Sequence, residues 1–453
     1  MRKKLKNVAA PFAVVLMTNP AFADVASPSI GDLMGEIDQL TAEVDALKVD
    51  ASKKDNSAIR LNGYYRLQST AESLDEADDN SSTWVDQRLR MKVTSDLHEN
   101  VTVVWYGEYD APFGETGSKT VAGSGGKLSS DGVGIETKNA YVDFRVPNTE
   151  LKVRTGIQGY GFGKYESFVT DDDMNGVSFL GTLDSVTLSG GWFKWEEGER
   201  DSSDDVDFYV LNGELAPNTN LTYGFTGSMI RNRNEDAING TAARTDELYL
   251  GSYIDLSYND IAYSGSLLYK KASGVDSGAT DGDTFMLNLY AKKHWIDGSI
   301  KIHGIYIPAD DSSSGTDRFA ANQSGWELNS DNLMIFGTDY YYNNGSQGGK
   351  AVYDAAYQGY GLLGLTISGD QKLDDDYYLK YGAGYFSVAD DAPASASKAN
   401  GSSLGTELAA QIGKKFADIY DLSLRGSYGF MGDFYQDDAE DTYKVVAMLN
   451  VSF

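Results

Sequence analysis

The 453-residue chain has no cysteine, which excludes a disulfide framework and any thiolate metal site. Beyond the N-terminus it also lacks a run of about 18 apolar residues, so no helical membrane span is expected. Any part that crosses a bilayer must then do so as a closed barrel. Positive charge is short as well, with 38 Lys and Arg against 67 Asp and Glu, a formal net charge of -29. Nucleic acid is therefore a poor partner, because binding it needs a basic surface. Only three histidines, His98, His294 and His303, are available as general bases, and no Ser-His-acid constellation suggests itself. Neither a cofactor nor a metal site is expected. Proline is scarce at 8, whereas Gly (49), Tyr (30) and Phe (18) are abundant. That profile suits many strands with glycine-bearing turns and aromatic girdles.

The N-terminus carries an address. Arg2, Lys3, Lys4 and Lys6 precede an apolar stretch from Val8 to Met17, and Ala21-Phe22-Ala23 is a small-x-small cleavage site. Residues 1–23 are expected to be a signal peptide cut between Ala23 and Asp24. An N-terminal anchor is the alternative, but the apolar stretch is too short to span. Removing the four cations takes the formal charge from -29 to -33.

Residues 24–57 read as a periplasmic helical segment and linker. Ile30, Leu33, Ile37, Leu40, Val44 and Leu47 fall on one narrow helical stripe, with Ile or Val at a and Leu at d. Ser29 is the expected N-cap, with Asp32 three residues on. A stripe of two to three heptads is marginal alone in water. It either joins copies of the chain as a short coiled coil or lies against the barrel end or peptidoglycan.

From Ala58 to Phe453 the period becomes two. Ile59, Leu61, Tyr65 and Leu67 alternate with Arg60, Asn62, Arg66 and Gln68, and Leu89, Met91 and Val93 alternate with Arg88, Arg90 and Lys92. Short turns such as His98-Glu99-Asn100 and Asn259-Asp260 alternate with long polar loops such as 111–137 and 307–334. That is the sidedness of an outer-membrane barrel. Strand segments begin near residues 59, 84, 101, 138, 150, 175, 185, 205, 220, 245, 261, 283, 299, 361, 377, 404, 420 and 442. The expected fold is all-β: a transmembrane antiparallel barrel of 16–18 strands, 18 favoured, preceded by a short α-helical coiled-coil segment. Segment 336–360 has the weakest pattern and could form an extra hairpin outside the membrane. A lumen of that size is too wide for side chains to fill, and the N-terminal segment is too small to plug it. Trp84, Trp192, Trp195, Trp295, Tyr106, Tyr109, Tyr420 and Tyr428 fall near strand ends, where their rings suit the lipid interface.

Gln87-Arg88-Leu89-Arg90-Met91-Lys92-Val93 before a tight turn, and the final strand from Tyr443 through Leu449 and Val451 to Phe453, resemble Gram-negative porins. The resemblance implies an ion- and solute-conducting channel in outer-membrane lipid. It also implies that the terminal aromatic is recognised by the barrel assembly machinery. Porins are commonly homotrimers, although Ile or Val at a with Leu at d prefers two strands. In that family a loop after the fifth strand narrows the pore. By position it is 159–176, carrying Glu166, Asp171, Asp172 and Asp173. A facing basic ladder would comprise Arg60, Arg66, Arg88, Arg90, Lys92, Lys152 and Arg154. Acid opposite base would orient polar solutes and sort ions. These cations could instead only neutralise lumen carboxylates. A diffusion pore with mild cation preference is expected. A channel specific for an oligosaccharide or an anion, or an envelope-tethering barrel, are the alternatives.

Overall fold

A computed structural model describes residues 59–73, 81–114, 135–198, 204–234, 244–274, 281–310, 319, 331–337, 351, 355–356, 358–390, 401–435 and 440–453. The cleavage site at Ala23 and Asp24 and the heptad stripe Ile30–Leu47 lie outside the described residues.

The strands are β1 (Ile59–Ser73), β2 (Ser82–His98), β3 (Val101–Pro112), β4 (Glu136–Arg145), β5 (Lys152–Gly161) and β6 (Asp171–Leu183). Then follow β7 (Val186–Glu196), β8 (Val206–Asn218), β9 (Leu221–Asn232), β10 (Thr245–Tyr258), β11 (Ile261–Gly274) and β12 (Gly282–Trp295). The last six are β13 (Gly298–Ile307), β14 (Leu362–Lys372), β15 (Tyr377–Ser387), β16 (Ser403–Phe416), β17 (Tyr420–Met431) and β18 (Thr442–Ser452). Each strand pairs antiparallel with its neighbour in sequence, and β18 pairs with β1, so the 18-stranded sheet closes on itself. The expected strand starts all fall within a few residues of these bounds.

Period-two patterning decides which way each strand faces. On β18, Tyr443, Val445, Leu449 and Val451 point outward, while Lys444 and Val446 point in and are about 1% exposed. Outward Leu and Ile on neighbouring strands, among them Leu250, Ile254, Leu408, Ile412, Leu422 and Leu424, are about half exposed. A continuous belt of this kind far exceeds the apolar patches of soluble monomers. It is stable only against lipid.

Turn chemistry sets one end of the barrel. Asn259 and Asp260 both take positive φ, 50° and 61°, and join Tyr258 to Ile261 across a two-residue hairpin, for which Asn and Asp are suited. Short connections like this lie at the end that holds both the start of β1 and the end of β18. The opposite end carries the long connections. The seam closes where Gly63 N–H donates to the Phe453 carbonyl at 2.8 Å and Phe453 N–H donates to the Gly63 carbonyl at 2.9 Å. Gly63 is needed there, because a Cβ would sit 2.1 Å from the Arg90 carbonyl oxygen.

The lumen is not open across its full width: besides the one inward loop expected after the fifth strand, a second connection also enters it. A cluster of buried apolar residues runs inside the wall from β5 to β16 and includes Phe193, Phe208, Leu268, Met286 and Phe386. The connections themselves fill it, with Phe162, Tyr165 and Phe168 before β6 and Leu333, Ile335 and Phe336 before β14. The segments 340–342 and 352–354, on which the extra hairpin is expected, lie outside the described residues. Phe336, Ala351, Ala355 and Ala356 belong to the interior cluster.

Candidate pore constriction

Between β5 and β6 the chain folds inward over Phe162–Thr170, with a single 3-10 turn at Gly163–Tyr165. Apolar groups at three-residue spacing, Phe162, Tyr165 and Phe168, give this short connection a face that must be buried, and each is at most 3% exposed. Glu166 and Ser167 adopt positive φ of 50° and 56°, which turns the chain back toward β6. The Tyr165 hydroxyl lies 3.3 Å from that of Thr226 on β9. It occupies the space left by Gly251, whose Cβ would sit 2.3 Å from it. Lys164 pairs with Asp255 on β10 at 3.1 Å. This loop is narrower than the 159–176 read from sequence: Glu166 lies in it, whereas Asp171, Asp172 and Asp173 begin β6. Asp173 pairs with Lys138 of β4 at 2.9 Å and accepts from Asn139 at 2.8 Å.

A second inward segment, Asp331–Gly337, comes from the connection between β13 and β14 and meets the first through wall residues. Lys301 on β13 pairs with Asp331 at 2.5 Å, and His303 Nδ1 lies 2.6 Å from the other Asp331 oxygen. The second ring nitrogen of His303 faces the side-chain oxygen of Asn288 on β12, and the Asn288 amide donates to Glu166 at 3.0 Å. One chain of polar contacts therefore links both inward connections to β12 and β13. Burial pushes the Glu166 carboxyl above its ordinary range, with His303 and Lys301 opposing. Burial acts the same way on Asp331, but His303 and Lys301 touch it directly and hold its carboxyl below the usual range. Its charge is thus kept through neutral and mildly acidic conditions.

The basic ladder lies on the wall formed by β1, β2 and β5, and carboxylates of adjacent strands accompany it. Arg60 bonds Asp96, Arg66 lies 3.4 Å from Asp86, Arg88 is 2.7 Å from Asp110, and Arg90 bonds Glu108. Lys152 and Arg154 both meet Asp143, at 2.8 and 2.7 Å. Lys92 continues the same face of β2, two positions beyond Arg90. Rings interleave with the cations: the Arg154 guanidinium lies 3.8 Å from the Tyr141 ring centroid, and Arg90 lies between Tyr64 and Tyr106 at 5.8 and 5.9 Å.

Three rings assigned to the lipid interface turn inward instead. Trp84 donates to Asp86 at 3.2 Å, Trp195 stacks on Phe208 at 5.0 Å, and Tyr106 is the ring beside Arg90. Trp84 and Trp195 do lie near strand ends, whereas Tyr106 is mid-strand in β3, and parity along the strand puts all three on the lumen face.

Sequence reasoning named His303 only as one of three available bases and did not single out Lys301, Asn288, Asp331 or Glu407. One available cue was the first half of β8, where Val206, Phe208 and Val210 point inward beside outward Tyr209 and Leu211. A strand of a water-filled barrel keeps one polar face, so an apolar inward stretch of this kind reports that the lumen is filled beside it.

These features define a closed, membrane-spanning β-barrel whose lumen is narrowed from within by two of its own connections. The same fold occurs in solved outer-membrane channels. Acinetobacter baumannii OccAB1 aligns at TM-score 0.55 and 11% identity over 87% of this chain and 96% of its own. Pseudomonas aeruginosa OccK11 (OpdR) aligns at TM-score 0.52 and 12% identity over 87% of this chain and 96% of its own. Pseudomonas aeruginosa OpdK, solved with vanillate, aligns at TM-score 0.52 and 11% identity over 87% and 99%. No family model and no curated protein matches the sequence.

Proposed function

We propose that this chain is an outer-membrane porin that passes ions and small hydrophilic solutes, with a mild cation preference. The observation that carries the reading is a charged lumen wall on β1–β5 within a barrel whose other side is filled by the two inward connections. Water and solutes would follow the charged wall, because the apolar cluster offers them no hydrogen bonds. Each ladder cation with a carboxylate beside it is largely neutralised, so the wall carries little surplus of either sign and discrimination by charge is weak. The export signal, the lipid-facing belt and the Phe453 strand support placement in the outer membrane, with assembly by the barrel machinery and association into homo-oligomers, trimers favoured.

A second reading, a solute-specific channel, is supported by the cation-ring surfaces of Tyr64, Arg90 and Tyr106 and of Tyr141 and Arg154. A guanidinium beside an aromatic face suits a solute that is both flat and acidic. Planar-bilayer recording separates the two readings. We expect steady channels whose reversal potential in a salt gradient favours cations slightly, and no block by millimolar aromatic carboxylate. Concentration-dependent block by that solute would instead establish the specific channel, and a barrel that carries no current would end both.

A further inference from the structure

Glu407 on β16 is fully buried on the lumen side of the wall. Its carboxylate accepts the main-chain N–H of Met334 at 2.5 Å, of Ile335 at 3.1 Å and of Phe336 at 2.8 Å. The Ser427 hydroxyl of β17 donates to it as well. Residues 334–336 belong to neither helix nor strand, so these successive donors have no ladder partner. Buried backbone donors must nonetheless be satisfied. A carboxylate, with two oxygens and several lone pairs, can take all three and a hydroxyl too.

The wall around Glu407 is shaped to receive this segment. A Cβ on Gly382 would sit 2.4 Å from the Asp331 carbonyl oxygen, one on Gly384 2.8 Å from the Leu333 side chain, and one on Gly429 3.3 Å from Ile335. Glycine within a strand marks a place where another backbone comes close. Other contacts hold the segment's beginning: Lys301 and His303 meet Asp331, Asn332 donates to the Gly369 and Tyr381 carbonyls, and Arg425 donates to the Leu333 carbonyl at 3.3 Å. Each of them stops at or before residue 333. The N–H groups of 334–336 are held by Glu407.

We infer that Glu407 is a positioning residue that fixes the aperture of the channel, by pinning segment Asp331–Gly337 to the glycine-lined face of β15 and β17. This rests on the porin reading, and a test that does not need current keeps the two separable. The chain has no cysteine, so Ile335→Cys, at a position 3% exposed, reports docking through its reaction with a water-soluble methanethiosulfonate. Adding Glu407→Ala strands three buried donors, which should raise the labelling rate about tenfold or more. In bilayers the single steady current level should give way to flicker among several levels. Joining Ile335→Cys to Gly429→Cys by a disulfide in the Glu407→Ala background should restore the steady level, and reduction should release it again. If Glu407→Ala does not assemble, Glu407→Gln, which keeps one acceptor oxygen, should show a smaller rise in labelling. Unchanged labelling in the variant that assembles would overturn the inference. A wild-type barrel that carries no current would overturn the porin reading while the labelling result still stands or falls by itself.

Discussion

Asp143 illustrates how the lumen handles charge at the scale of one residue. Its carboxylate takes the fork of Arg154 through Nε at 2.7 Å and Nη2 at 3.0 Å, and it also accepts from Lys152 at 2.8 Å. A two-pronged guanidinium-carboxylate pair is among the stronger side-chain contacts, and here one acid answers two cations. Asp143→Asn should leave both cations under-compensated. The reversal potential in a salt gradient should move toward anions, and stability should fall by about 1–3 kcal/mol, as for a lost hydrogen bond to a charged group. An unchanged reversal potential would show that this cluster lies off the ion path. The sequence does show that Arg154 and Asp143 occupy polar faces, because alternation is local. Their pairing depends on the register between β4 and β5, where Asp143 stands opposite Arg154, and no local pattern encodes that register.

At the scale of elements, the closing strand and the connections contrast. β18 is legible because its alternation is unbroken and ends on an aromatic residue. The structure adds the seam contact, in which Phe453 and Gly63 exchange two main-chain bonds. Deleting Phe453 removes both bonds along with the terminal ring. The heat-modifiable band that marks a folded barrel on unboiled gels should weaken, with more unassembled protein in the periplasm. Full assembly of the deletion would mean that neither the ring nor the seam bonds matter. The turn at Asn259-Asp260 was equally readable from its residues. By contrast, the inward course of Phe162–Thr170 and Asp331–Gly337 is set by partners distant in sequence, Thr226, Asn288 and Glu407 among them. A polar segment before a strand looks the same whether it meets water outside the barrel or a wall within it.

At the scale of the whole molecule, we propose that the barrel and the heptad segment expected at residues 30–47 make separable contributions. The 18 strands pair in an unbroken ring, so the barrel wall closes without a further strand. Deleting Ile30 through Leu47 should therefore leave single-channel conductance unchanged. The same deletion should lower the oligomer fraction measured by light scattering in detergent, if the stripe joins copies of the chain. Loss of conductance would place the helical segment in the pore, and an unchanged oligomer fraction would make it a tether or a surface helix.

The sequence by itself narrowed the strand count to 16–18 and determined the alternation of most strands, the sidedness of the connections and the closing strand, because these follow from patterning and turn chemistry within a few residues. Only the tertiary structure decided that the lumen is partly filled, that the ladder cations stand beside carboxylates, and that Glu407 and His303 hold the inward segments. Those outcomes depend on which residues meet across a closed ring, and closure brings together positions as far apart as Glu166 and Asn288 that no local period relates.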